Sequence, residues 1–183
     1  MADKKLAGKR ILMVIAPKEF RDEELLTPKE ILEAEGAQVD IASTRLGEAT
    51  GMLGCKVNPS LTLADAKPSN YQGVIVVGGM GSPEFLWNDT TLHKIISELN
   101  LKGHVVAAIC LSGAVLAKAD VLRGKKATVW PDEAAIKALQ VSQAQYVKDS
   151  VVADGNIITA DGPEAAKKFG DTIVEALSRV FTH

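Results

Sequence analysis

"HVVAAICLSGAVLAKA", residues 104–119, decides how this chain folds. Its first half is short, apolar and rich in branched residues. That is the pattern of a strand buried on both faces, as found in parallel sheets covered by helices. Its second half is built from small residues and predicts a helix over 112–120. Cys110 stands at the junction. A strand that turns into a helix on a nucleophilic side chain has the layout of a nucleophile elbow.

The same alternation continues on both sides. "RILMVIA" (10–16) reads as a second doubly buried strand. "PKEFRDEELLTPKEILEAEG" comes next as a turn and a helix that ends at Gly36, a natural C-cap. "QVDIAS" (38–43) alternates as a strand should, and "GVIVVGG" (73–79) is a buried strand closed by glycines. Residues 89–101 predict a helix with Leu92, Ile95, Ile96 and Leu99 facing the core. "KATVW" (126–130) predicts a strand, and "PDEAAIKAL" (131–139) a helix with Pro131 in its first turn. "SVVADGNIITA" (150–160) predicts a hairpin around Asp154-Gly155. From Pro163 a last helix carries Phe169, Ile173, Leu177 and Val180 on one face. Strands alternating with helices imply a three-layer α/β fold on a mostly parallel sheet. Residues 1–9 read as a polar N-terminal extension, and 10–183 as a single domain.

Composition narrows the function. The 183 residues are 46% apolar and 24% charged, with 21 bases against 23 acids. This is an ordinary globular composition with no basic stripe for nucleic acid. No apolar stretch approaches the roughly 20 residues that span a bilayer. The polar start lacks a signal-peptide core, so a cytoplasmic location is expected. His93, His104 and His183 are too few and too scattered for zinc, and neither a metal nor a cofactor is expected.

In α/β sheets of this kind, function gathers at the carboxyl ends of the strands. Three places qualify: after Ala16, at Gly78-Gly79 and at Cys110. A helix N-terminus beside Cys110 would pull its pKa below the free value of about 8.5. The competing reading makes Cys110 a small buried apolar residue. Cys55, in the glycine-rich "GMLGCKVNPS", reads as structural. His104 precedes Cys110 by six residues, which puts it roughly 20 Å away along the strand. "KEFRDEELLTP" carries four acids, Glu19, Asp22, Glu23 and Glu24. Most of them are expected to be solvated or to favour the helix start, with one free to face the cysteine. The amides of "GGMGS" (78–82) can cradle an oxyanion. A phosphate loop is disfavoured, because Gly79 and Gly81 are followed by Glu84, not by the third glycine.

Together, "RILMVIAPKEFRDEELLTP", "VIVVGGMGS", "AAICLSGAVLAKADVLRGKKAT" and "DGNIITADGPEAAKKFG" resemble the ThiJ/PfpI family of the class I glutamine-amidotransferase-like superfamily. The resemblance implies a flavodoxin-like three-layer sandwich and a homodimer or larger homo-oligomer. It implies that Cys110 is the reactive thiol and that a glutamate after the first strand contacts it. Glu24 fits that place, four residues before Pro28 and twelve before Gly36, with Glu19 and Glu23 as the alternatives. It further implies an oxyanion pocket from the backbone N–H groups of Gly79 and Leu111, with Trp130 lining the pocket. Two family histidine positions are empty here. PfpI-like peptidases have histidine directly after the nucleophile, where this chain has Leu111. Some members have another near the position of Trp130. A Cys-Glu pair survives. The resemblance implies action on small reactive carbonyls, of the glyoxalase or deglycase type. A non-enzymatic oxidative-stress or chaperone role acting on damaged protein comes next, and peptidase activity third.

Overall fold

A computed structural model describes residues 4–180. The first half of the chain runs β1 (Arg10–Val14), β2 (Lys18–Phe20), α1 (Asp22–Ala34), β3 (Gln38–Ser43), β4 (Ala49–Gly51), β5 (Lys56–Val57), β6 (Leu61–Thr62) and β7 (Gly73–Val76). The second half runs α2 (Ser82–Phe85), α3 (Thr90–Leu101), β8 (Val105–Ile109), α4 (Gly113–Lys118), β9 (Lys126–Ala127), α5 (Glu133–Val141), β10 (Gln145–Tyr146), β11 (Val151–Asp154), β12 (Ile157–Ala160) and α6 (Ala166–Leu177). Seven strands form the central sheet in the order β11-β12-β8-β7-β1-β3-β6. Six run parallel, and β11 is antiparallel at one edge.

The inner strands are apolar throughout because helices cover both faces. β1 is buried from Ile11 to Val14, and β7 and β8 along their whole length. α1 and α6 pack together on one face, and α3 and α4 on the other. α3 buries Leu92, Ile95, Ile96 and Leu99, the stripe read from its spacing. Asp89 caps it by accepting a 2.8 Å hydrogen bond from the Leu92 N–H. α6 buries Phe169, Ile173 and Leu177 completely, while Val180 lies beyond its end and is half-buried. This confirms a flavodoxin-like, three-layer α/β architecture. Among the described residues no helix is long and apolar enough to cross a membrane.

Several local readings are corrected. "KATVW" yields only β9, which pairs with β10 in a separate two-stranded sheet. Past it the chain leaves the ladder: the Thr128 N–H donates to the Thr159 hydroxyl, and the Trp130 N–H to the Cys110 carbonyl. Pro131 lies outside α5, whose cap is Asp132, accepting from the Ala135 N–H at 3.0 Å. The hairpin turn is shifted by one residue. Asp154 pairs with Ile157, so Gly155 and Asn156 make the turn, and Gly155 supplies its positive φ of 62°. The stretch read as an N-terminal extension is tied to the domain from residue 4 onward. Leu6 is fully buried, and its N–H donates to the Glu35 carbonyl. A small sheet of β2, β4 and β5 has no sequence signal, since strands of two or three residues show no periodicity.

Candidate active site

β1 is the topological switch of the sheet. It pairs with β3 on one side and with β7 on the other. The carboxyl ends of β1, β7 and β8 therefore open onto one crevice, the place where α/β sheets put their chemistry. The segments that follow these strands carry Glu19–Glu24, Gly78-Gly79 and Cys110 respectively.

Cys110 adopts φ = +61°, a left-handed conformation that side-chain-bearing residues avoid. Such a residue costs roughly 1–3 kcal/mol and persists only where its surroundings enforce it. This strain is what a nucleophile elbow requires, because the sharp bend turns the side chain out of the strand. The chain then makes a three-residue 3-10 turn, Cys110–Ser112, and enters the six-residue α4. Gly113 lets the segment after β9 approach the elbow: a Cβ there would stand 3.0 Å from the Thr128 carbonyl oxygen and from Val129 Cγ2.

Two buried serines lock the elbow to the neighbouring loop. Ser112 Oγ donates to the Val77 carbonyl at 2.7 Å. Its single proton is thereby committed, so Ser82 Oγ, also 2.7 Å away, donates to Ser112. This chain ties the start of α2 and the residue just past β7 to the residue two past the cysteine. It fixes the spacing of the two peptide N–H groups that reach the thiol, those of Gly79 and Leu111. Gly79 sits at φ = +110°, and a Cβ there would meet the Glu19 carbonyl oxygen and come within 2.5 Å of Arg21 N. Glycine is required at that position.

Glu24 is completely buried in the first turn of α1. Its Oε1 accepts a 3.0 Å hydrogen bond from the Gly78 N–H. Its Oε2 is buried without a nitrogen or oxygen partner. The other group that interacts with this carboxyl is the Cys110 thiol. The alternatives do not reach it. Glu19 is exposed, and Glu23 holds Arg21 in a two-point ion pair at 3.0 and 2.9 Å. The structure therefore brings Cys110, Glu24, Gly79 and Leu111 together, with Trp130 at the rim.

Burial pushes the Glu24 carboxyl up to about 8, although hydrogen bonds from Cys110 and Gly78 oppose the rise. Burial, and then the charge of an ionised Glu24, push the Cys110 thiol up to about 12. The lowered thiol pKa expected from a helix N-terminus is not found. A six-residue helix carries little dipole, and the Gly79 and Leu111 N–H groups pull the value down by less than burial raises it. At neutral pH the pair is mostly protonated on both groups, and it loses its first proton near pH 8.

A cavity of about 130 Å³ opens over the sulfur, lined by Arg21, Met52, Gly79, Met80, Cys110, Leu111, Trp130 and Pro163. Trp130 is 45% exposed, with its ring close over Gly162. His93 bonds the Trp87 carbonyl and His104 the Tyr71 carbonyl, and neither lines the cavity. His183 lies outside the described residues. Cys55 is half-buried and does not line the cavity. Among the described residues no cluster of three or more His, Cys, Asp or Glu side chains suits a metal ion.

Asp22 is the residue that sequence reasoning misses. Its position groups it with the solvated acids, yet it is only 6% exposed. Its Oδ1 accepts from the Leu53 N–H at 2.9 Å and its Oδ2 from the Cys55 N–H at 2.8 Å. These bonds pin the β4–β5 hairpin, which carries Met52, over the cavity. No spacing in the sequence marks this role, because its partners are backbone groups 31 and 33 residues away. Asp22→Ala is expected to cost about 2 kcal/mol, since it strands two peptide N–H groups. Limited proteolysis of this variant should cut first within residues 49–57. Wild-type stability and an unchanged cleavage map would show that Phe20 and the small sheet hold the hairpin without Asp22.

This assembly defines a class: a flavodoxin-like α/β protein with a strained cysteine elbow and a buried glutamate beside the thiol. The chain belongs to the DJ-1/PfpI family, whose profile matches residues 9–176. An uncharacterized protein of Methanocaldococcus jannaschii is 48% identical over 170 residues, 93% of this chain and 83% of the relative. A deglycase of Pyrococcus abyssi is 29% identical over 153 residues, 83% of this chain and 90% of the relative. The crystal structure of a ThiJ/PfpI domain protein from Brachyspira murdochii superposes with a TM-score of 0.88 at 30% identity, covering 96% of this chain and 99% of that one.

Proposed function

We propose that this protein acts on small reactive aldehydes through the Cys110–Glu24 pair, in a glyoxalase- or deglycase-like reaction. The observation that carries this reading is the buried Glu24 carboxyl, held at a pKa of about 8 against a thiol that two peptide N–H groups also reach. A general acid–base group works best with a pKa near the operating pH. The name of the Pyrococcus abyssi relative agrees with the reading.

The chemistry derives from the positions. In the singly ionised pair the carboxylate takes the thiol proton while sulfur forms a bond to the aldehyde carbon. The carbonyl oxygen becomes an alkoxide, held by the Gly79 and Leu111 N–H groups. With methylglyoxal the alkoxide then takes that proton from Glu24, which gives a neutral thiohemiacetal and returns Glu24 to its carboxylate form. Transfer of the C1 hydrogen to C2 as a proton, with Glu24 as carrier, converts it to a lactoyl thioester. Water then hydrolyses the thioester, giving lactate and the free thiol, so methylglyoxal and water balance lactate. Peptide hydrolysis is less well served, because no histidine among the described residues lines the cavity to protonate a leaving amine.

One feature also favours a redox role. A protonated Glu24 and the two peptide N–H groups are donors suited to the oxygens of a cysteine sulfenate or sulfinate. Incubation with methylglyoxal separates the readings. The wild-type protein is expected to form lactate and the Cys110→Ala variant none. The rate should rise about tenfold per pH unit up to about pH 8 and then level off, as the pair loses its first proton. No Cys110-dependent lactate, together with selective oxidation of Cys110 by mild peroxide, would transfer the site to the redox reading.

A further inference from the structure

We infer that Met52, Met80 and Trp130 form a subsite that selects uncharged carbonyl compounds bearing an apolar or aryl substituent. This deepens the aldehyde reading and rests on it only for the identity of the reacting group.

The cavity wall is the first argument. Apart from Cys110 its single ionisable lining residue is Arg21, and the charge of that guanidinium is paired with Glu23 through hydrogen bonds from Nε and Nη2. Among the described residues no cation without a carboxylate counter-ion lines the cavity to receive a substrate carboxylate. The remaining wall is Met52, Met80, Leu111, Trp130, Pro163 and the Gly79 backbone.

The rim is the second. Met80 is 61% exposed, Met52 38% and Trp130 45%, and exposed apolar side chains carry meaning where they gather in one patch. They converge on one opening. The Met80 N–H even contacts the Met52 sulfur, at 3.5 Å. Thioethers pack favourably against aromatic rings and adapt their shape to what they cover. A volume of about 130 Å³ suits one ring or a short acyl group, and it is too small for a folded peptide segment.

The position is the third. Met52 is held at the opening from two sides: its N–H donates to the Phe20 carbonyl at 2.8 Å, and Asp22 anchors the next residue. The Trp130 N–H donates to the Cys110 carbonyl, which couples the indole's location to the elbow itself. The apolar wall is thus built at a fixed distance from the nucleophile.

Alkylation tests the subsite without requiring catalysis. Iodoacetamide and N-benzyl-iodoacetamide react alike: the S–C bond forms and iodide leaves. They differ only in the aryl group. At about pH 8.5 the benzyl reagent is expected to label Cys110 about tenfold faster than the plain one, after normalisation to the ratio for glutathione, as burial of much of a phenyl ring predicts. Met80→Gln and Met52→Gln should each bring that ratio back toward the glutathione value. Mass spectrometry reads Cys110 and Cys55 separately, and Cys55 should show no benzyl preference. A ratio at Cys110 no greater than that of glutathione would overturn the inference. Incubation runs until the plain reagent labels Cys110, because the raised thiol pKa makes that reaction slow; failure of the benzyl reagent over the same time would overturn the inference too. A tenfold preference with no lactate formed would keep the subsite and remove the enzyme reading.

Discussion

Near pH 8.5, Glu24→Gln is expected to be more stable than wild type by about 4 kcal/mol, a margin that builds up from about pH 5. Glutamate in the unfolded chain loses its proton near 4.5, whereas in the folded protein burial holds the proton until about pH 8. Across that window the folded state binds the extra proton, so wild-type stability falls as pH rises, and it levels off above about pH 8. Glutamine fills the same space and never ionises. The two proteins should therefore be similar near pH 5 and diverge upward from there. Up to about pH 8 the Cys110 thiol stays mostly protonated in the folded and the unfolded chain alike, so most of the window reports Glu24 alone. Urea unfolding at a series of pH values, with both proteins in one buffer set, measures the difference directly. Parallel stability curves would mean that the carboxyl is solvated or ionised in the fold. Glu24 lies in the protein interior and not at a site edge, so Glu24→Leu should also be felt. It would leave the Gly78 N–H without its acceptor.

The second large effect is expected from Gly78→Ala. A Cβ at this position would stand 2.5 Å from Glu24 Oε1, 2.5 Å from the Ile109 carbonyl oxygen and 2.6 Å from Cys110 Cβ. Two of these neighbours are the functional pair, and the third is strand backbone that cannot move without breaking the sheet. Overpacking of this kind costs about 3 kcal/mol. The more diagnostic loss is in chemistry. Displacing a reacting group by about 1 Å can cost about a hundredfold in rate. Under the proposed aldehyde chemistry, lactate formation should fall at least that far, and the remaining activity should lose its rise toward about pH 8. A stable, fully active Gly78→Ala protein would show slack between carboxyl and thiol that the packing does not allow.

The sheet is legible in the sequence because doubly buried strands are short, apolar and branched, and because the helices between them repeat at a spacing close to 3.6. Leu92, Ile95, Ile96 and Leu99 need no tertiary information, and neither does the elbow at Cys110. Failures come where elements are too short to show a period, as in β2, β4 and β5. They also come where long-range contacts override a local pattern, as at Thr128–Trp130. Glu24 is identified by its spacing from Pro28 and Gly36, which is a likeness to relatives and does not derive from local physics.

By itself the amino-acid order determined the α/β layering, the cysteine at the end of a buried strand and the glycines that let backbone approach it. These are local properties, set by side-chain volume, branching and the conformational freedom of glycine. Only the tertiary structure decided how the four acids of "KEFRDEELLTP" divide their roles. Glu24 is buried against the thiol, Asp22 against the hairpin, Glu23 pairs with Arg21, and Glu19 remains in solvent. It alone decided that Cys110 is raised in pKa. An ionisable group responds to the dielectric and charges around it in space, and adjacent residues in the chain supply few of these.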